Sequence, residues 1–244
     1  MTSDPFIDGV LVQWGERLFY PRNRIVKAWT PRLQGQSRAM AIRSRIEATV
    51  RRAPQVMVKV TGGGRGMSAI RAHFRYISKN GRLGIEDDRG VVCRGKEAVK
   101  DIERQWQFGG AYIGEEGRRR EAFNVMLSMP RGTDPLVVQK AAREFAKIEF
   151  EDNRYVMVLH DHQANPHVHL SVKAESKHGV RLNPRKADLH RWRETFAERL
   201  REWGVDAEAT RQASRGEHRN RDELWRIKAR EQGRLRKDRP TKKS

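Results

Sequence analysis

Ten residues constrain this chain more than any others: His160-Asp161-His162-Gln163-Ala164-Asn165-Pro166-His167-Val168-His169, which hold four of its eight histidines. The surrounding pattern predicts a β-hairpin. Tyr155 to Leu159 is a short apolar, β-branched run, 161–166 is rich in turn formers, and Val168, Leu170 and Val172 alternate with polar residues. A period of two sends His167 and His169 to one face and Val168 and Leu170 to the other, toward a core. His160, at the end of the partner strand, can lie across from the first pair. Three imidazoles converging from adjacent strands make a divalent-metal site with coordination positions left open for substrate. The plainer alternative is a set of core or surface histidines.

Charge narrows the partner. Lys and Arg number 51 against 31 Asp and Glu, a net +20, in 244 residues. An excess of that size favours nucleic acid, or less often an anionic membrane. No apolar run reaches the ~18 residues needed to span a bilayer, and the start carries no signal-peptide pattern. Membrane insertion is therefore not expected. The single cysteine, Cys93, forms no internal disulfide, excludes a cysteine zinc finger, and fits a reducing cytoplasm.

The length suits one α+β domain with tails. Residues 1–54 read as a basic arm, with ten Lys/Arg against four Asp/Glu and helical spacing over 39–52. The domain, 55–210, opens with a strand over 55–60. The glycine-rich turn 61–66 follows, then a helix over 68–79 ended by Asn80-Gly81. That turn lacks the Gly-Lys-Ser/Thr of a P-loop. It either lets backbone approach phosphate or is simply a tight turn. A glycine-containing charged stretch runs over 83–120, with an amphipathic piece at 98–108. A strand at 122–129 and a helix at 135–150, capped by Thr133 or Asp134, precede the hairpin. A last helix over 188–203 stops at Gly204. The tail, 211–244, has thirteen Lys/Arg, five Asp/Glu and few large apolar residues, and is expected to stay solvated.

Of four tyrosines, Tyr155 lies in the hairpin strand and reads as core, Tyr20 is in the arm, and Tyr112 follows Gly109-Gly110. Tyr76 sits on the helix after the glycine turn, with Arg71, Arg75 and Lys79 on a basic flank. It is either a packing residue or a nucleophile. A phenol of pKa about 10 attacks phosphorus well only when cations stabilise phenolate and phosphate, and a three-histidine metal would polarise the phosphate oxygens.

Three motifs, in order, resemble those of a known family. Gly62-Gly63-Gly64 with His73-Phe74-Arg75-Tyr76-Ile77-Ser78-Lys79-Asn80-Gly81 is similar to the nucleophile motif of conjugative relaxases. Leu127-Ser128-Met129-Pro130-Arg131-Gly132-Thr133-Asp134 is similar to their second motif. His160-x-His162-x3-Pro166-His167-x-His169-Leu170 is similar to their third, the HUH signature. The nearest likeness is to the P-type mobilisation group that includes the T-DNA border endonuclease, over roughly residues 55–215.

The resemblance implies an α+β fold with a central antiparallel sheet and packed helices. It implies Tyr76 as nucleophile, and Mg²⁺ or Mn²⁺ held by His160, His167 and His169. Ser128 would contact DNA near the cut, with Arg65, Arg71, Arg75 and Lys79 as further DNA-binding residues. His162 stands where the family usually has aspartate, and could orient a ligand, replace one, or accept the proton as a catalytic residue. The implied activity is nicking of one strand at an origin of transfer, with the 5′ phosphate retained on tyrosine. The implied partners are single-stranded DNA, accessory relaxosome proteins and a type IV secretion coupling protein. Localisation would be cytoplasmic, with export alongside DNA as a further possibility. Two other readings remain: a non-catalytic basic nucleic-acid-binding protein, and a nuclease that activates water on the metal and leaves no adduct.

Overall fold

The computed structural model describes residues 53–209 and, before them, Arg43, Ile46 and Glu47, which are helical. The predicted arm helix is otherwise outside the described residues, as are Tyr20 and the basic tail. In chain order the elements are β1 (Met57–Gly62), α1 (Met67–Ile77), β2 (Ile85–Asp87), β3 (Val92–Cys93) and α2 (Lys96–Phe108). Then come β4 (Ala122–Ser128), α3 (Pro135–Glu149), β5 (Tyr155–His160), β6 (His167–Lys173) and α4 (Lys186–Glu202).

The strands form one six-stranded sheet in the order β1-β4-β6-β5-β2-β3, antiparallel at every pairing. The α+β reading with a central antiparallel sheet is the fold observed. Strand β6 lies between β4 and β5, and all of its residues are buried. Alternation then sorts side chains between two cores. Val168, Leu170 and Val172 join Tyr155 and Met157 beneath α3 and α4, around Phe145, Phe150, Trp192 and Phe196. Val156 and Val158 point the other way, toward Ile70, Phe74 and Ile77 of α1 and Trp106 of α2. Phe74 meets Trp106 edge to face at 4.9 Å, which fixes α1 against α2.

Helix α3 begins as the sequence predicts, with Asp134 accepting from Leu136 N–H at 2.8 Å and Pro135 in the first turn. Strands β2 and β3 are not in the sequence reading, which left 83–120 without a strand. They are three and two residues long, too short for periodicity to register. What shapes them is Asp87, whose carboxylate accepts from the backbone of Arg89 and Val91 and closes the turn between them. Among the described residues no helix is long and apolar enough to cross a membrane.

The glycine turn resolves in favour of packing. The first two amides of α1 donate to the carbonyls of Gly114 and Glu115, so they are not left for a phosphate. A Cβ at Gly63 would stand 2.1 Å from the Ala122 carbonyl oxygen, and one at Gly66 would stand 2.3 Å from that of Glu115. These glycines let backbone pass against backbone.

Candidate functional site

The β5–β6 register sets His160 opposite His167 and Val158 opposite His169. The three rings therefore share the sheet face that α1 covers, at the hairpin's turn end. Their ligand-capable atoms all lie within 4.8 Å of one another. The ring centroids stand 4.7–5.0 Å apart, and the residues are 5, 6 and 9 % exposed.

Neighbouring carbonyls fix two tautomers, because a carbonyl can only accept. His160 donates Nε2–H to the Ile77 carbonyl at 2.7 Å, leaving the lone pair on Nδ1. That carbonyl belongs to the last turn of α1, where helices leave acceptors unused. Beyond it, Lys79 and Asn80 both take positive φ, 50° and 57°, turning the chain away so that the carbonyl stays open to the ring. His167 donates Nδ1–H to the Asn165 carbonyl at 3.0 Å, leaving Nε2. Nδ1 of His169 is buried with no hydrogen-bond partner among the described residues.

Burial pushes His169 down to about 3, with the other histidines adding to the effect. It also pushes His160 below the usual imidazole range, against the opposing pull of the Ile77 bond. Both rings are neutral at pH 7, the form that binds metal. Such a set of imidazoles, two oriented by carbonyls and one with an orphaned buried nitrogen, fits a divalent cation.

Tyr76 lies over this cluster. It is 69 % exposed, and its ring stands 6.4 Å from that of His169 at 77°. Tyr112 is also exposed but pairs with Phe108 at the far end of α2. Tyr155 is core, its phenol pushed up to about 12 chiefly by burial. His162 is exposed on the turn, its ring 5.2 Å from His160, and is not among the three clustered ligands.

Other residues fall elsewhere. Ser128 is buried, opposite His167, and its hydroxyl donates to the Pro166 carbonyl at 3.3 Å. It ties β4 to the turn and leaves the hydroxyl oxygen's lone pairs as acceptors. Arg71 and Arg75 lie on the side of α1 that faces α2: Arg71 pairs with Glu115, and Arg75, its side chain 54 % exposed, with Glu103 at 3.4 Å. Arg65 and Lys79 are exposed.

The sequence reading assigned no role to His73. It stands one turn before Tyr76, with ring centroids 6.3 Å from both Tyr76 and His169. Burial pushes it down to about 4, and its Nε2 has no hydrogen-bond partner among the described residues. The i, i+3 spacing to Tyr76 was the one signal available, and it gains meaning only once β6 lies beneath that face.

Fold and site together define an α+β domain with a cluster of three histidines on its sheet that could hold a metal ion, and an exposed phenol beside it. A protein-family model described as "Relaxase: MobA/VirD2-like, nuclease domain" matches residues 76–205, over half of the chain. The chain belongs to this relaxase family and carries its nuclease domain. No curated protein matches. A solved structure described as "Molecular Basis of Vancomycin Resistance Transfer in Staphylococcus aureus" is similar at 14 % identity. The likeness covers 65 % of this chain and 99 % of that one, with a TM-score of 0.39, too loose to carry an argument.

Proposed function

We propose that this nuclease domain nicks one DNA strand at an origin of transfer by transesterification on Tyr76, in the manner of the P-type mobilisation relaxases. The observation that carries the reading is the exposed Tyr76 ring 6.4 Å from His169, over three clustered and buried histidines. The Tyr76 oxygen attacks phosphorus, an O–P bond forms, and the bond from phosphorus to the 3′ oxygen breaks. The 5′ phosphate stays on the phenol, and the leaving oxygen takes up a proton to become a 3′ hydroxyl. One phosphodiester replaces another, so the step is reversible. His160, His167 and His169 hold Mg²⁺ or Mn²⁺, which when bound draws charge from the phosphate oxygens.

His162, exposed beside His160, accepts the phenolic proton. Arg65, Arg71, Arg75 and Lys79 contribute phosphate contacts; Arg71 and Arg75 each pair with a carboxylate and keep further N–H donors for phosphate. The arm and tail add sequence-independent attraction, so affinity falls steeply with salt. Accessory relaxosome proteins and a secretion coupling protein complete the assembly, which works in the cytoplasm before any export with DNA.

The test uses random-sequence single strands labelled at the 3′ end, with Mn²⁺. The expected result is label that stays on the protein through denaturing electrophoresis and is lost with Tyr76→Phe. Cleavage with no adduct favours the water-activating nuclease, and binding without cleavage favours the non-catalytic protein.

A further inference from the structure

Tyr76 must aim its oxygen at phosphorus, yet nothing described so far holds it. Its ring is exposed and its hydroxyl makes no hydrogen bond among the described residues. Misplacement by about 1 Å is enough to cost ~100-fold in rate. One turn back along α1 is a group with the opposite problem. His73 is half-buried, and its Nε2 has no hydrogen-bond partner among the described residues. Buried polar atoms left unpaired are uncommon, and each one needs an explanation.

The geometry links the two. His73 to Tyr76 is 6.3 Å between centroids at 33°, His73 to His169 is 6.3 Å at 78°, and Tyr76 to His169 is 6.4 Å at 77°. The three rings form a nearly equilateral triangle, with one corner a metal ligand, one the nucleophile and one His73. As a fourth ligand His73 would have to gather with all three of the clustered rings. Imidazoles at adjacent positions on one ion, with nitrogen at about 2.1 Å, hold their centres about 4.5–5.5 Å apart. The clustered three meet that range at 4.7–5.0 Å, whereas His73 stands 6.3 Å from His169, and the group whose ligand-capable atoms lie within 4.8 Å of one another is His160, His167 and His169 without it. A packing role alone leaves the nitrogen unexplained.

We infer that His73 is the positioning residue of the nucleophile: its Nε2 forms a hydrogen bond, directly or through one water, that holds the Tyr76 hydroxyl on the His169 side of the helix. A packed ring fixes an exposed one, so the phenol meets a bound phosphate already oriented. This inference rests on the reading of Tyr76 as nucleophile.

The test compares His73→Gln, whose amide reaches about as far as Nε2, with His73→Leu, which fills the space without a polar atom. A strand captured by the wild-type protein serves as substrate, in single-turnover adduct formation with enzyme in excess and saturating Mn²⁺. The leucine variant should slow adduct formation about 10–100-fold, with strand and Mn²⁺ affinities within about 2-fold of wild type, and glutamine should recover most of the rate. Should the leucine chain fail to fold, His73→Phe takes its place and preserves a ring. Equal rates for the glutamine and apolar variants, fast or slow, overturn the inference, and so does loss of Mn²⁺ affinity in the apolar one. Tyr76→Phe, run alongside, separates the two claims. If it still cuts, the nucleophile reading fails. If it is inert while the apolar His73 variant keeps the wild-type rate, only the inference about His73 fails.

Discussion

Arg143→Ala should destabilise the domain through a group the substitution does not touch. Arg143 on α3 grips Glu86 on β2 with two bonds, Nε to Oε1 at 2.5 Å and Nη2 to Oε2 at 2.9 Å. The Glu86 side chain is 3 % exposed and that of Arg143 34 %. Glu86 pairs with Met157 of β5, three residues before His160, so the bridge braces the strand that carries one of the three clustered histidines. Removing the guanidinium strands a carboxylate in the interior. Breaking a fully buried pair costs about 3–5 kcal/mol. Water reaching the one-third-exposed arginine brings the expected loss down to roughly 2–3 kcal/mol. For a domain of this size that lowers the melting temperature by about 5–10 °C. Urea unfolding followed by fluorescence of the buried Trp106 and Trp192 should show a lower midpoint with an unchanged slope. The double variant Arg143→Met, Glu86→Leu should recover most of the loss, since an apolar pair leaves no charge behind. A single variant within about 0.5 kcal/mol of wild type, less than even an exposed pair contributes at its best, would refute the reasoning.

Metal-free protein should lose stability on acidification before its carboxylates titrate. His73 and His169 are held down to about 4 and about 3 in the fold, while the unfolded chain protonates them near 6.5. Their contribution is therefore whole above pH ~6.5 and falls as pH drops toward the folded values. The slope is at most about 1.4 kcal/mol per pH unit for each ring, and less where solvent screens His73. Urea midpoints between pH 7 and 5, taken in chelator, measure this, and a flat profile would contradict it. His167→Ala should weaken Mn²⁺ binding at least about 10-fold by calorimetry while the chelated protein melts as wild type does; unchanged affinity would remove His167 from the centre.

The core of the site was legible because a period of two and a turn leave little freedom. His167 and His169 had to share a face, and His160 had to end the facing strand. The central antiparallel sheet was implied by the resemblance, and the strands read at 55–60, at 122–129 and in the hairpin agree with it. The residues that refine the site were not legible, since their meaning depends on what another element brings alongside. The resemblance implies DNA contact for Ser128, and nothing in the sequence tells that it is buried and bonded to the Pro166 carbonyl. Arg71 and Arg75 read in sequence as a basic flank, and their partners Glu115 and Glu103 come from segments that only the fold brings alongside. The glycine turn could have served phosphate or packing, and only the carbonyls of Ala122 and Glu115 decide between them. His73 carries no local signal beyond its spacing to Tyr76.

Transesterification leaves the phosphate on the Tyr76 oxygen. Mass spectrometry of the wild-type protein–DNA adduct, after exhaustive nuclease and trypsin digestion, locates it. Cleavage after Arg75 and Lys79 isolates Tyr76-Ile77-Ser78-Lys79 from every other tyrosine. The expected result is a nucleotide on that peptide, attached through its 5′ phosphate, and none in Tyr76→Phe. A nucleotide on the peptide holding Tyr112 or Tyr20, or normal nicking by Tyr76→Phe, would contradict it.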